Sequence, residues 1–205
     1  MLYDITPLVT PSLGVWPGDT PAERQVIQDL AKGDTVTLST LRATVHLGAH
    51  ADAPSHYGVD APDIASRALD YYLGPCRVIR AEVGRNQRIG PEIIQGRELE
   101  PRLLFATGTY PDPNHFSTDF AALSPELDDA CHQAGVRLIG IDTPSVDLFD
   151  CKDLRAHRRF LAHDMAILEG IVLDRVPEGR YELVALPLKL QLFDASPVRA
   201  LLRTL

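Results

Sequence analysis

The sequence predicts a mixed α/β fold that is rich in strands and forms a single domain over residues 1–205. Of the 205 residues, 45% are hydrophobic, which is enough to bury one sizeable core. Short apolar runs bounded by turn residues recur along the chain and are typical of strands, whereas helix signals are fewer. No internal repeat, low-complexity tract or long linker divides the chain.

The first elements are an extended arm and a strand. Residues 1–24 contain four prolines and two glycines, so we expect a turn-rich arm that wraps onto the fold. Residues 36–46 alternate as a strand does and lead directly into a histidine-rich segment. Five further strands are predicted at residues 76–83, 102–108, 136–142, 171–176 and 181–190.

Helices are fewer. The best begins at Ser124, a good N-cap followed by Pro125 at the first helical position, and ends before Gly135. A second helix is predicted over residues 153–162, and shorter ones near residues 64–73 and 91–98.

Charge and cysteine content indicate the class of function. The formal net charge of -8 and the pI near 5.3 argue against nucleic acid or an anionic membrane as a partner and favour small-molecule chemistry. Three cysteines, Cys76, Cys131 and Cys151, lie far apart without metal-binding spacing, so we expect reduced thiols. The first residues lack the pattern of a signal peptide and no apolar run is long enough to span a membrane, so we expect a cytoplasmic protein.

The most informative segment is HLGAHADAPSH at residues 46–56, which contains three histidines and an aspartate. Imidazole and carboxylate suit zinc, manganese or iron, and no nearby thiolate closes a purely structural site. The pattern therefore indicates a metal-dependent hydrolase with a coordination position open to water. A polar surface loop is the alternative interpretation.

The spacing of this segment also predicts its shape. His46, His50, Asp52 and His56 occupy even positions, so an extended chain would point all four side chains to one face. Full extension would nevertheless separate His46 from His50 by roughly 13 Å, too far for one ion. The chain must therefore curl, and Gly48 is the expected bending point.

A second polar cluster follows at residues 156–170, AHRRFLAHDMAILEG. On one unbroken helix His157 and Glu169 would lie about 18 Å apart, so they can reach one site only if the helix ends between them. His163 and Asp164 are candidates for that turn, and the residues alone do not choose between His157 and His163 as a ligand. His115 in a loop and His132 near a helix end are weaker candidates.

The motifs as a set resemble the kynurenine formamidases, or arylformamidases, of the bacterial cyclase-like amidohydrolase family. The resemblance spans nearly the whole chain and rests on WPGDTP at 16–21, HLGAHADAPSHY at 46–57, GIDTPSVD at 140–147, the segment 156–170, and ALPLKL and DASPVRA near the carboxyl terminus. It implies a swivelling β/β/α cyclase-like fold, a homodimer and two zinc ions per subunit, with manganese as an alternative. The implied reaction converts N-formyl-L-kynurenine to L-kynurenine and formate in tryptophan degradation.

The resemblance also implies a role for each motif residue. His46, His50 and Asp52 would hold the first ion, Asp52 and Glu169 would bridge, and His157 would complete the second site. His56 would be the acid–base residue, and Trp16 on the arm would contact the substrate. His163 matches no ligand position.

These residue types suit amide hydrolysis. Bound zinc lowers the pKa of water and polarises a carbonyl oxygen, while a histidine such as His56 would be suited to protonate the departing aryl amine. Three alternatives stay open. They are a one-metal hydrolase of the same family that opens a cyclic amide or lactone, an iron oxygenase with a facial triad of His50, Asp52 and His157, and a metal-stabilised binding module.

Overall fold

A computed structural model describes residues 1–205 and contains thirteen strands and two α-helices. The strands are β1 (Leu2–Asp4), β2 (Glu23–Gln28), β3 (Leu38–Arg42), β4 (His50–Asp52), β5 (Leu73–Arg80), β6 (Arg88–Ile89), β7 (Arg102–Ala106), β8 (Ala122–Leu123), β9 (Leu138–Ile141), β10 (Ala166–Glu169), β11 (Gly179–Val184), β12 (Ala195–Pro197) and β13 (Leu201–Thr204). The helices are α1 (Pro125–Gln133) and α2 (Arg155–His163).

Nine of the strands form one sheet in the order β1-β13-β11-β5-β7-β9-β10-β4-β12. The four strands β5, β7, β9 and β10 are parallel, and the strands on either side of them are antiparallel. This arrangement confirms the predicted mixed α/β class. Because parallel strands end at the same edge of a sheet, the segments that follow β5, β7, β9 and β10 converge there.

The central strands β7, β9, β10 and β4 are buried on both faces. Side chains alternate along β5 and β7, so that Val78 and Leu104 enter one apolar cluster while Ile79 and Phe105 enter the other. Both helices contribute to the second cluster, in which Phe160 of α2 is fully buried. Neither helix has the length and apolar character required to span a membrane.

The helix predictions are confirmed. Ser124 caps α1 by accepting a hydrogen bond from the backbone N–H of Leu127, and Pro125 occupies the first turn. Helix α2 begins two residues later than predicted and ends at His163, where Asp164 takes a left-handed conformation with φ 49°. The chain therefore turns between His157 and Glu169, as the sequence requires. The shorter predicted helices are 3-10 turns at Ile64–Ser66, Leu69–Tyr71 and Pro91–Ile94.

One strand prediction is wrong in position, and two are too long. No strand covers residues 171–176; the strand is β10, which lies before Gly170, and this glycine has φ 64° and turns the chain out of the sheet. Ile171 and Leu173 gave the segment its strand-like pattern, but they are buried from a loop. The predicted strand 36–46 is shorter as well, because β3 ends at Arg42, before the histidine segment begins. In the same way, β11 ends at Val184, ahead of Pro187.

The amino-terminal arm is only partly as expected. Its first residues form β1, which pairs with β13 at the edge of the main sheet. Strands β2 and β3 pair only with each other, and every residue in both is exposed. We call residues 23–42 the ribbon. Its exposed large apolar side chains are Val26, Ile27, Leu30, Val36, Leu38 and Leu41.

Candidate metal centre and adjoining cavity

Sheet pairing brings the first metal-ligand candidates together. Strand β4 lies between β10 and β12, and His50 stands directly opposite Glu169 of β10. Asp52 lies two residues further along β4 and therefore points to the same face as His50. All three residues are buried, with 3% or less of their surface exposed.

The loop before β4 curls as the sequence predicts. Gly48 has φ 56°, and the rings of His46 and His50 have centroids only 5.0 Å apart. Gly170 passes close behind this loop, and a Cβ atom at Gly170 would overlap the backbone carbonyl of Gly48. Both glycines are therefore required for the close approach of the histidine loop to the end of β10.

Asp52 lies at the centre of the buried cluster. His50 Nε2 lies 3.5 Å from Asp52 Oδ1 and 3.3 Å from Glu169 Oε2. From the opposite side, His157 Nε2 lies 3.6 Å from Asp52 Oδ2 and 3.8 Å from Glu169 Oε1. The structure thus brings these four sequence-predicted residues to one place.

His46 and His56 flank the cluster on its more exposed side. His46 Nδ1 lies 3.1 Å from Asp52 Oδ1, and the rings of His46 and His56 have centroids 4.2 Å apart. The side chain of His56 is 35% exposed, in contrast to the buried imidazoles of His50 and His157. Asp194 faces both rings, with Oδ2 3.0 Å from His46 Nε2 and 3.4 Å from His56 Nδ1.

The cluster fits a divalent cation. His50 Nε2 and both carboxylate oxygens of Asp52 are buried without a hydrogen-bond partner, an arrangement that is costly unless another group uses these atoms. Two overlapping sets of donors each converge within 4.8 Å, one with His50, Asp52 and Glu169 and one with His46, Asp52 and His56. Nitrogen and oxygen donors without thiolate are those that zinc and manganese accept. Geometry alone therefore admits His56 as a ligand.

Charges in the cluster are balanced by the imidazoles. Burial alone would lower the pKa of His157, but its contacts with Asp147 and Asp52 raise it to about 10. Burial likewise acts to lower the pKa of His46, yet contacts with Asp52 and Asp194 raise it to about 9. Burial acts to raise the pKa of Asp52, whereas His157 and His46 hold it well below its usual range. The site thus attracts positive charge, whether as protons or as metal ions.

Asp147 holds His157 in place. Its Oδ2 lies 2.9 Å from His157 Nδ1, and its carboxylate accepts backbone hydrogen bonds from Ala156 and His157 and one from Arg88. A ligand histidine commonly donates its second ring N–H to a carboxylate in this way, which leaves Nε2 for the ion. Asp147 and Asp194 were not among the residues predicted from the sequence. Their only signal there is their place in the GIDTPSVD and DASPVRA motifs.

The other candidates lie elsewhere. His163 Nε2 is 2.7 Å from Asp129 Oδ1, and its ring stacks on that of His132 at 4.1 Å. Asp164 pairs with Arg67 at 2.5 Å. The structure therefore places His157, and not His163, beside Asp52 and Glu169.

A cavity of about 290 Å³ opens beside the cluster. His46 and His50 line one part of its wall, and Trp16 of the arm lines another. Trp16 is supported by an aromatic group in which Phe149 and Phe116 have ring centroids 4.9 and 5.5 Å away. The cavity therefore joins ionisable groups to an aromatic wall.

Comparison with known proteins identifies the family of the chain. A family model described as "Putative cyclase" matches residues 3–148, well over half of the sequence. The chain belongs to this cyclase family. Similar solved structures include a potential metal-dependent hydrolase with cyclase activity, with 26% identity and a TM-score of 0.86 over 98% of this chain and 96% of that one. A predicted metal-dependent hydrolase from Bacillus stearothermophilus has 27% identity and a TM-score of 0.81 over 98% and 97%.

A third similar structure, isatin hydrolase A from Labrenzia aggregata, has 24% identity and a TM-score of 0.84 over 98% of this chain and 93% of that one, a likeness of fold. The cyclase-like fold implied by the resemblance is therefore confirmed. Family membership, the similarity to one potential and one predicted metal-dependent hydrolase, and the donor sets support a metal-dependent hydrolase that uses a divalent ion.

Proposed function

We propose that this cyclase family member is an arylformamidase, which hydrolyses the linear amide of N-formyl-L-kynurenine to L-kynurenine and formate. The observation that carries the proposal is a buried histidine and carboxylate cluster beside a cavity that Trp16 lines. The cluster suits amide hydrolysis, and the cavity with Trp16 in its wall suits an aryl substrate. That the acyl group of the substrate is formyl is inferred from the sequence motifs that resemble those of the formamidases.

The metal ligands in this proposal follow the motifs. His46, His50 and Asp52 would hold one ion, and Asp52, His157 and Glu169 a second, with zinc the expected metal and manganese an alternative. Bound there, such ions supply Lewis-acid chemistry, since they make water a better nucleophile and polarise a carbonyl oxygen. The orphaned atoms of His50 and Asp52 support this assignment.

His56 is the proposed acid–base residue. Hydrolysis of an anilide must expel an aryl amine, which leaves poorly as an anion and needs a proton at nitrogen. His56 stands at the exposed edge of the cluster, with 35% of its side chain exposed, and Asp194 Oδ2 is 3.4 Å from its Nδ1. Asp194 therefore favours a His56 tautomer with the proton on Nδ1, and Nε2 stays free to exchange a proton with the substrate nitrogen.

Trp16 and the buried carboxylates have supporting roles. The indole of Trp16 is held by Phe149 and Phe116 and offers a face for the aryl ketone ring. Asp52 and Glu169 would offset the positive charge of the ions. Asp147 orients His157, so that its Nε2 points to these two carboxylates.

A second candidate is a one-metal hydrolase that opens a cyclic amide. The similar fold of the isatin hydrolases favours it. It would leave the ligands of the second ion without a role, although His157 and Glu169 are buried in the same cluster. An iron oxygenase would likewise leave His46 and Glu169 unused, and it predicts oxygen uptake.

The test measures hydrolysis of N-formyl-L-kynurenine and of isatin by absorbance, with bound metal counted by elemental analysis. The enzyme is assayed as purified, after chelation, and after zinc or manganese is restored. Formamide hydrolysis that disappears on chelation and returns with about two ions per chain supports the proposal. Isatin turnover without formamide turnover would replace it with the cyclic-amide hydrolase.

A further inference from the structure

The cavity extends along the sheet away from the metal-ligand cluster. Arg80, the last residue of β5, pairs with Ala106 of β7, and both line the cavity. In the order β5-β7-β9-β10-β4, four strand spacings separate Arg80 from His50. At about 4.8 Å each, these spacings amount to roughly 19 Å along the sheet. The cavity therefore has a second end, distant from the cluster.

Arg80 is the only lysine or arginine that lines this cavity. Its Nη2 donates to the backbone carbonyl of Val176 at 2.8 Å, while the nearby Glu178 carboxylate accepts from the Arg80 backbone N–H and pairs with Arg97 instead of the Arg80 guanidinium. A guanidinium has five N–H donors in a planar fork. Most of these donors therefore have no protein acceptor and stay available to a ligand.

Asp174 also lines the cavity and lies close in sequence to the residue that holds Arg80. It belongs to the wall formed by residues 171–174 and precedes by two residues the Val176 carbonyl that holds Arg80. Its only ion pair is an exposed one at 3.6 Å with its neighbour Arg175, and such pairs hold a carboxylate weakly. The other carboxylate in the wall, Asp142, is already occupied by hydrogen bonds from Thr107 and Gly108.

The distances suit a substrate with a charged tail. In N-formyl-L-kynurenine seven bonds separate the formyl carbon from the carboxylate carbon, roughly 9 Å when extended. An arginine side chain reaches roughly 7 Å from its Cα. The substrate and the arginine side chain together span most of the distance along the sheet between Arg80 and His50. The side chains of the metal-ligand residues span the remainder.

We propose that Arg80 and Asp174 form a subsite that recognises the zwitterionic amino acid end of the substrate. Arg80 would bind the carboxylate through its free N–H groups, and Asp174 would accept from the ammonium group. The inference rests on the proposed arylformamidase function, since only a substrate with an amino acid end uses both residues. A cyclic amide without such a tail would not need them.

The experiment compares three formanilides by steady-state kinetics of the metal-loaded enzyme. N-formyl-L-kynurenine has both charged groups, 4-(2-formamidophenyl)-4-oxobutanoate keeps only the carboxylate, and 2-formamidoacetophenone has neither. The ratio of kcat/KM between two substrates cancels losses of active protein, so it reports recognition of one group at a time.

Arg80→Met should lower the ratios of both carboxylate substrates to 2-formamidoacetophenone by roughly 10- to 100-fold, the effect of losing a charged hydrogen bond. Arg80→Lys should retain part of each ratio, because it keeps the charge without the fork. Asp174→Asn should lower only the ratio of N-formyl-L-kynurenine to the oxobutanoate, by roughly 10-fold. The control Arg85→Met removes an exposed arginine that pairs with Asp119 outside the cavity, and all ratios should stay at the wild-type value.

The outcomes separate the two proposals. If Arg80→Met lowers kcat/KM equally for all three substrates, or for none, the proposed subsite is contradicted. Arg80 then serves only to anchor the cavity wall at Val176. If the wild-type enzyme hydrolyses none of the three formanilides, the arylformamidase proposal fails and the subsite fails with it.

Discussion

Asp52 shows at the scale of a single side chain why this cluster indicates a function. Its carboxylate is almost fully buried, and neither oxygen has a hydrogen-bond partner. An isolated charge in such a position costs several kcal/mol, so a fold retains it only with compensation. The imidazoles of His157 and His46 supply part of that compensation, and a metal ion would supply more.

His56→Ala tests the assignment of the acid–base residue. We expect kcat to fall by about 10²- to 10⁴-fold, the usual contribution of general acid–base catalysis, with metal content retained. The measurement is kcat together with an elemental count on the same sample. A loss of metal would contradict the assignment and make His56 a ligand, as its position beside His46 and Asp52 allows.

Asp128 provides a prediction about stability and pH. It is fully buried in α1 without a hydrogen-bond partner, and burial, with Asp147 and Asp129 nearby, raises its pKa well above 3.8. Since the folded state binds this proton more tightly, its contribution to stability is complete below pH 3.8. That contribution falls as pH rises towards the folded-state pKa, at about 1.4 kcal/mol per pH unit.

Asp128→Asn removes this loss because the amide does not ionise. The melting temperatures of variant and wild type should be similar near pH 4, and the variant should become the more stable as pH rises to 7. Thermal unfolding across this range measures the difference. A constant offset between the two proteins would show that Asp128 keeps an ordinary pKa.

At the scale of elements, the three residues of β4 carry the largest share of the site. The strand is short, but β10 and β12 hold it on both sides and fix which face His50 and Asp52 occupy. Gly170 then turns the chain away directly after Glu169. The same turn places residues 171–174 in the cavity wall, where the sequence had predicted a strand.

The ribbon is the element for which the fold provides no packing partner. A two-stranded hairpin alone is marginally stable in water, and here no residue of either strand is buried. The resemblance to the formamidases implies a homodimer. We therefore expect a second copy of the chain to cover the ribbon on the exposed face that carries Val26 and Leu41.

Cross-strand register supplies a matched pair of variants. Val26 and Leu41 share one face of the ribbon, while Gln25 and Thr40 share the other. Replacing Val26 and Leu41 with Glu should shift a dimer towards monomer in analytical ultracentrifugation, whereas the same change at Gln25 and Thr40 should have less effect. A wild-type chain that sediments as a monomer would contradict the prediction.

At the scale of the whole molecule, metal binding and folding stability should be linked. The buried donors converge only in the folded chain, so an ion that binds them stabilises the native state by about 2.7 kcal/mol at one hundred times its Kd. For a chain of this size that corresponds to a rise of roughly 5–10 °C in Tm. Asp52→Asn weakens both donor sets at once, because Asp52 belongs to each. We therefore expect a smaller rise in Tm on addition of metal to this variant. If its Tm rises as much as that of the wild type, the ion binds elsewhere.

Local patterns determined much of this molecule. Ser124 and Pro125 predict the start of α1 because capping satisfies backbone donors within one turn. The even spacing from His46 to His56 and the bend at Gly48 follow from strand geometry and from the freedom of glycine, both of which are properties of a few adjacent residues. The residue types that can bind the metal could therefore be predicted from the sequence.

Tertiary structure decided which distant residues meet. Helix periodicity could not separate His157 from His163, and the choice comes from the packing of α2, which directs one ring to Asp52 and the other to Asp129. Arg80 belongs to no motif, and it reaches the cavity only because sheet order places the end of β5 on the same edge as β10. Proximity across the sheet depends on strand order and register, which a local pattern of hydrophobicity does not encode.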